Sequence, residues 1–143
     1  CAAKGCDAVL YGCDGLDGIA GQIDETVTNS IKYITPFDVN ATDAKTANFV
    51  KKYREVYGKD PSQFAADGYD AVYAIFEAMK ASGADIKANI SASDLCDILK
   101  KQFTGDFSYS GATGNNITWE KNGYVKKSAV KYTLKEANSA SEK

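Results

Sequence analysis

Acidic and thiol side chains lie in a short glycine-rich segment, residues 12–18, that directly follows an apolar run at residues 8–11. A short apolar run bounded by glycines is typical of a strand buried on both faces of a parallel sheet. Open α/β sheets bind ligands beyond the carboxyl ends of their strands. Asp14 is therefore a candidate to bind a cationic group through a charge-assisted hydrogen bond. An Asp before Gly also forms turns by capping its own backbone, and the residues alone leave both interpretations open.

The residues beside Asp14 carry alternatives of their own. Leu16 and Asp17 either shape a pocket wall or act as a loop residue and a helix N-cap, respectively. Cys13 is either a reactive thiol or a small buried side chain that fills space. The two carboxylates at positions 14 and 17 also raise a hydrolase hypothesis. No recognisable nucleophile, base or metal-ligand set accompanies them in the sequence, which makes this hypothesis weak.

The composition excludes several classes of function. The 143 residues include no histidine, so Ser-His-Asp triads, Cys-His pairs and histidine metal sites are ruled out. The four cysteines form no C-x-x-C pair, and we expect no cofactor. With 17 basic and 19 acidic residues the net charge is −2, which offers no basic surface for nucleic acid. No apolar stretch approaches the roughly 18 to 20 residues of a membrane helix.

Hydrophobic periodicity and capping residues predict alternating strands and helices, which is typical of an α/β layered fold. Asp43 is a candidate N-cap and Gly58 a candidate helix end. Asn122-Gly123 predicts a hairpin turn. Helices are predicted at residues 43–57, 62–82 and 93–103, and strands at 7–12, 31–35 and 128–135. In the second helix we expect a buried stripe formed by Ala65, Tyr69, Val72, Phe76 and Met79.

Three segments of the sequence, residues 49–61, 64–73 and 111–123, closely resemble the carboxyl-terminal half of type I periplasmic binding proteins. The nearest branch is the leucine/isoleucine/valine-binding protein family of branched-chain amino acid ABC transporters. The resemblance implies Rossmann-like α/β layers of a two-lobed fold that is only partly present here. Residues 1–35 and 121–143 would belong to the second lobe and residues 36–120 to the first, so we expect the chain to be a fragment.

The resemblance also implies a function. It predicts a non-enzymatic, extracytoplasmic substrate-binding component that binds an amino acid by hinge closure. Asp14 would bind the ligand's α-ammonium group, and Gly15, Leu16 and Cys13 would lie around the ligand. The implied partners are a transporter permease and the missing amino-terminal half, and the fragment is expected to self-associate. An extracellular sensory domain of a signalling receptor is the alternative. Cys1 is either a lipid-modified residue, as in lipoproteins, or the tail of a cut helix.

Overall fold

The computed structural model describes residues 5–19, 22–85 and 89–135, and it confirms the predicted α/β class. This part of the chain contains two small sheets and three α-helices. The first sheet consists of β1 (Leu10–Gly12), β2 (Ile31–Thr35) and β6 (Val130–Lys135). The second consists of β3 (Tyr109–Gly111), β4 (Gly114–Trp119) and β5 (Val125–Lys126). Cys1 lies outside the described residues. None of the described helices is long and apolar enough to cross a membrane.

Strand β2 occupies the centre of the first sheet. It pairs in parallel with β1, with Leu10 opposite Ile31, and antiparallel with β6, with Thr35 opposite Val130. The strands predicted at residues 31–35 and 128–135 are therefore confirmed. The parallel pair brings the carboxyl ends of β1 and β2 to the same edge of the sheet, where the loop carrying Asp14 begins.

The prediction that residues 8–11 are buried on both faces is wrong. Strand β1 begins only at Leu10, Val9 is 45% exposed and Tyr11 is 68% exposed. β1 forms the edge of a three-stranded sheet, and the described residues leave most of the Tyr11 side chain in solvent. An apolar run shows that a segment can be buried, but it does not show which elements cover it.

The three helices form where the capping residues predict them: α1 (Ala44–Tyr57), α2 (Gln63–Ala81) and α3 (Ala92–Phe103). An Asp43 side-chain oxygen accepts a hydrogen bond from the Thr46 amide, and Gly58 ends α1 in the left-handed conformation at φ 66°. Ser62 and Ser91 cap α2 and α3 in the same way as Asp43 caps α1. Local side-chain chemistry therefore sets the helix boundaries.

The buried stripe of α2 differs from the predicted one. Val72 and Phe76 are exposed, and Ala65, Tyr69 and Met79 are only partly buried. The residues that are buried are Gln63, Ala66, Asp70, Ala74 and Ala78. α2 is apolar around much of its circumference, so its periodicity does not single out one face. Three small alanines and a hydrogen-bonded Asp are on the buried face, where the helix packs against β3 and α3.

The core lies between α1, α2 and the loop that joins β3 to β4. Its buried members are Phe37, Phe49, Val50, Ala66 and Ala112. The Phe37 and Phe49 rings meet edge to face with their centroids 6.0 Å apart. The hairpin predicted around Asn122-Gly123 is confirmed, since β4 pairs antiparallel with β5. Strand β3 was not predicted, because its serine- and glycine-rich surroundings are typical of a loop.

Candidate functional site

The segment after β1 forms a compact turn. A 3-10 helix runs from Asp14 to Leu16, and the Leu16 amide donates to the Cys13 carbonyl at 3.0 Å. The Asp17 amide donates to the Asp14 carbonyl at 2.9 Å. The Leu16 side chain folds back over Gly12, where an added Cβ would lie 2.2 Å from Leu16 Cδ1. A side chain at position 12 would therefore require the Leu16 side chain to move, and the turn pairs the Leu16 and Asp17 amides with its own carbonyls.

Asp14 is exposed on this turn, at the carboxyl end of β1. Its backbone oxygen accepts hydrogen bonds from the Asp17 amide and from the side chain of Gln63. Its carboxylate has no hydrogen-bond donor among the residues that the structure describes. The turn is thus closed by main-chain groups, and the charge of Asp14 is directed to solvent rather than used to cap its own loop.

The other three predicted site residues differ in their surroundings. Gly15 is exposed, and a Cβ added there would meet nothing within 4 Å. Leu16 is half-buried against Gly12. Cys13 is an exposed free thiol, so its interpretation as a buried space-filling side chain is wrong. Cys13 precedes the 3-10 helix with extended backbone angles, and the described residues do not cover it.

Asp17 is tied into the protein, in contrast to Asp14. Its Oδ1 accepts a hydrogen bond from the Tyr33 hydroxyl at 2.9 Å, and its Oδ2 accepts one from the Gln63 backbone amide at 2.5 Å. Gln63 is the first residue of α2, so the carboxylate lies against the positive end of that helix. Asp17 is therefore not the N-cap of a helix, since Ser62 caps α2, but its carboxylate accepts from the first amide of that helix, 46 residues later in the chain. This arrangement disfavours the hydrolase hypothesis, because Asp17 has a structural role.

Gln63 links the loop to the end of β2. It is 1% exposed; its Nε2 donates to the Asp14 carbonyl at 3.2 Å, and its Oε1 accepts from the Thr35 hydroxyl at 2.8 Å. Thr35 is also 1% exposed. Sequence reasoning missed both residues. The available signal was a polar residue at the start of the helix, on the same stripe as Ala66 and Asp70.

Tyr33 completes this polar cluster. It is 3% exposed, and its ring lies 5.3 Å from the Tyr132 ring, centroid to centroid. Burial raises the pKa of the Tyr33 phenol far above its usual range, and the hydrogen bond to the Asp17 carboxylate raises it further. The phenol therefore stays protonated and continues to donate to Asp17.

Two cavities differ in their position relative to this loop. A pocket of about 240 Å³ next to the loop is lined by Asp17, Tyr33, Pro61 and Tyr132, among others. A larger depression, about 760 Å³, is an open groove between α1, α2 and β3, and none of residues 12–18 lines it. Among the described residues no group of three or more Cys, Asp or Glu side chains is placed to hold a metal ion. The chemistry available around Asp14 is therefore hydrogen bonding and charge.

Comparison with known proteins assigns the family. The sequence profile described as "Periplasmic binding protein" matches residues 1–137. No curated protein matches the chain. Among solved structures, a leucine-binding protein, LivK, from Thermotoga maritima is 24% identical, with a TM-score of 0.69 over 95% of this chain and 37% of its own. LivJ from Streptococcus pneumoniae, in complex with isoleucine, is 26% identical, with a TM-score of 0.59 over 92% of this chain and 39% of its own.

A further structural neighbour has a different ligand. The solute-binding protein of an ABC transporter from R. palustris, in complex with benzoate, is 20% identical and has a TM-score of 0.70 over 95% of this chain and 35% of its own. This chain thus spans well under half the length of the structures it matches. The family match over residues 1–137 confirms the resemblance that the sequence suggests, and the chain belongs to the periplasmic binding protein family.

Proposed function

We propose that this chain is part of the substrate-binding component of an amino-acid ABC transporter, in which Asp14 binds the α-ammonium group of the ligand. The proposal rests on the exposure and the hydrogen-bond partners of the Asp14 side chain. Asp14 is exposed at the carboxyl end of a parallel strand, and its carboxylate has no donor among the described residues. An ammonium group would supply the missing donor, in the position where open α/β sheets bind ligands.

The neighbouring residues suit a ligand that approaches the turn closely. Gly15 has open space around it, so a ligand can reach the backbone on that side. Cys13 and Leu16 flank Asp14 and would supply apolar contacts, Cys13 through an exposed thiol and Leu16 through a half-buried side chain. We assign these three residues to the surroundings of the ligand and the charge interaction to Asp14.

Branched-chain amino acids are the proposed ligand class. Two of the structural neighbours are described as a leucine-binding protein and as a branched-chain amino acid transporter substrate-binding protein in complex with isoleucine. Benzoate, the ligand of the third, has a carboxylate and no ammonium group. A free Asp14 carboxylate would repel such an anion unless a cation lay between them. The charge of Asp14 thus favours amino acids over aromatic acids.

The same proposal includes the domain division and the setting of the protein. Residues 1–35 and 121–143 would contribute to one lobe and residues 36–120 to the other, with the ligand bound between the lobes and stabilising their closed arrangement. The protein would act outside the cytoplasm, deliver its ligand to a membrane permease and catalyse no reaction. Support for this setting is the family itself and the description of its structural neighbours as binding proteins.

The test is a calorimetric titration of the protein at its full natural length with leucine, isoleucine, valine and benzoate. Replacing Asp14 by Asn should lower the affinity for the best amino acid by about 30-fold to several thousand-fold, because a charged partner is lost from a closed cleft. Asp7→Asn is the matched control, since Asp7 is an exposed Asp that precedes the same strand. The control should bind as the wild type does.

Two results would contradict the proposal. Wild-type affinity in Asp14→Asn, with melting temperatures that agree in the absence of ligand, would remove Asp14 from the site. Tighter binding of benzoate than of any amino acid would overturn the proposed ligand class.

A further inference from the structure

We infer that Asp17 and Gln63 are positioning residues that hold the Asp14 turn against the start of α2. This inference rests on the proposed function, since Asp14 is the group that they would position. Both residues connect parts of the chain that are far apart in sequence, and each polar side-chain atom of both residues makes a hydrogen bond. Neither is assigned to the ligand itself.

The contacts form a closed chain of hydrogen bonds. Two hydrogen bonds connect the turn to α2. The Asp17 carboxylate accepts from the Gln63 backbone amide, and the Gln63 side chain donates to the Asp14 carbonyl. The Gln63 oxygen then accepts from Thr35 at the end of β2, and Tyr33 on the same strand donates to Asp17. Two of these hydrogen bonds join the turn to α2, one joins the turn to β2, and one joins α2 to β2.

The burial of this chain gives it rigidity. Gln63 and Thr35 are 1% exposed and Tyr33 is 3% exposed, so each bond has at least one partner that is withdrawn from water, although Asp17 itself is only half-buried. The link to Asp14 is made at its backbone carbonyl, which leaves the carboxylate free. The network therefore sets where the charge of Asp14 lies without using that charge.

The position of the network gives it a second consequence. In the proposed division, the turn belongs to the second lobe and α2 to the first. Asp17 and Gln63 would then connect the two lobes next to the ligand, and a change in the angle between the lobes would move Asp14 with α2. The affinity for the ligand would depend on this connection as well as on the ligand contacts.

The experiment is a double-mutant cycle on the full-length protein, with leucine, isoleucine and valine as probes. Asp17→Asn keeps the shape of the side chain and cannot accept from both Tyr33 and the Gln63 amide. We expect it to lower the affinity about 10-fold to 100-fold, in line with the loss of a partly buried hydrogen bond to a charged group. In the Asp14→Asn background the same change should cost little, because Asp17 acts through Asp14. Exposed Asp106 supplies the control, Asp106→Asn.

A second readout needs no ligand. Amide hydrogen exchange over residues 13–18 should become faster in Asp17→Asn and in the milder variant Tyr33→Phe, and exchange in α1 should stay unchanged. Equal affinity losses in the two Asp14 backgrounds, or unchanged exchange in the turn, would overturn the inference. Failure of the proposed function would appear differently, as an Asp14→Asn variant that binds like the wild type. Exchange would then still decide whether Asp17 holds the turn.

Discussion

Two glycine-rich loops in this protein each involve an Asp. The turn at residues 12–18 contains Asp14, and the loop that joins β3 to β4 contacts Asp70. The structure uses the two acids in opposite ways. Asp70, on α2, is 6% exposed and accepts four hydrogen bonds, from the Tyr109 hydroxyl, the Ala112 amide and the amide and hydroxyl of Thr113. Asp14, in the other loop, is exposed and its carboxylate has no donor among the described residues. The same combination of residue types therefore builds a structural bond in one region and a candidate binding group in the other.

The difference comes from where each loop finds acceptors for its amides. In the turn at residues 13–17, the amides of Leu16 and Asp17 donate to carbonyls three residues earlier. In the loop of the hairpin formed by β3 and β4, the amides of Ala112 and Thr113 donate to the Asp70 side chain instead. When the amides of a loop donate to carbonyls of the same loop, a nearby Asp carboxylate remains available to a ligand. When they donate to the carboxylate instead, its oxygens are already occupied.

The largest effect should follow from removing the charge of Asp70. An Asn at this position presents one acceptor and one amino group to donors that need two acceptor oxygens, so a buried amide is left without a partner. We expect Asp70→Asn to lower the free energy of unfolding by about 3 to 5 kcal/mol. Denaturant unfolding of the full-length protein measures this. Asp14→Asn is the comparison, and it should change stability by less than about 0.5 kcal/mol.

Equal stability losses in Asp70→Asn and Asp14→Asn would contradict this contrast between the two acids. A loss only in Asp14→Asn would reverse it and would mean that the turn, rather than the hairpin, depends on its carboxylate.

A smaller loss is expected at Gly111, the point of closest approach in the hairpin. A Cβ added there would lie 2.1 Å from the Asp70 carboxylate oxygen and 2.5 Å from Tyr109 Cε1. Since Asp70 is held by backbone donors, it cannot move without breaking them, and Gly111→Ala should cost about 2 to 4 kcal/mol. Gly15→Ala is the matched control, because its added Cβ meets nothing within 4 Å. Thermal unfolding of both variants checks the pair, and equal melting temperatures would show that the hairpin accommodates the methyl group.

Sequence reasoning predicted what depends on local signals. Asp43 and Gly58 define the ends of α1 through contacts within a few residues, and the structure places them as expected. The buried face of α2 could not be predicted this way, because Val72 is as apolar as the alanines that are buried. Only packing against β3 and α3 decides which side is covered.

The candidate site likewise has a part that the sequence predicted and a part that it did not. The place of Asp14 follows from a glycine-rich loop after an apolar run, and the structure has the loop at the end of β1. The contacts of Gln63 did not follow, because they join residues 28, 46 and 49 positions apart and depend on how α2 meets the sheet. Long-range polar pairs of this kind have no periodicity for a sequence pattern to show.

The smallest effect is expected from the two phenols that donate to these regions, and it depends on pH. Tyr33 donates to Asp17 and Tyr109 donates to Asp70, at 2.9 and 3.2 Å. Burial raises the pKa of both phenols well above the ordinary value of 10.0, and the adjacent carboxylates raise it further. A folded-state pKa above the unfolded one gives stability that is fully present below pH 10 and is lost as the pH rises towards the folded-state pKa.

Removing either hydroxyl should therefore reduce the loss of stability above pH 10 while costing only about 1 kcal/mol at pH 7. At pH 7 we expect Tyr109→Phe to cost less than Tyr33→Phe, because Asp70 keeps three other donors and Asp17 keeps one. Denaturant midpoints measured at pH 7, 9, 10 and 11 for the wild type and both variants give the comparison. Parallel pH profiles for all three proteins would show that neither phenol is linked to folding. If Tyr109→Phe cost more stability than Tyr33→Phe at pH 7, the Tyr109 hydroxyl would contribute more to folding than its 3.2 Å hydrogen bond to Asp70 indicates.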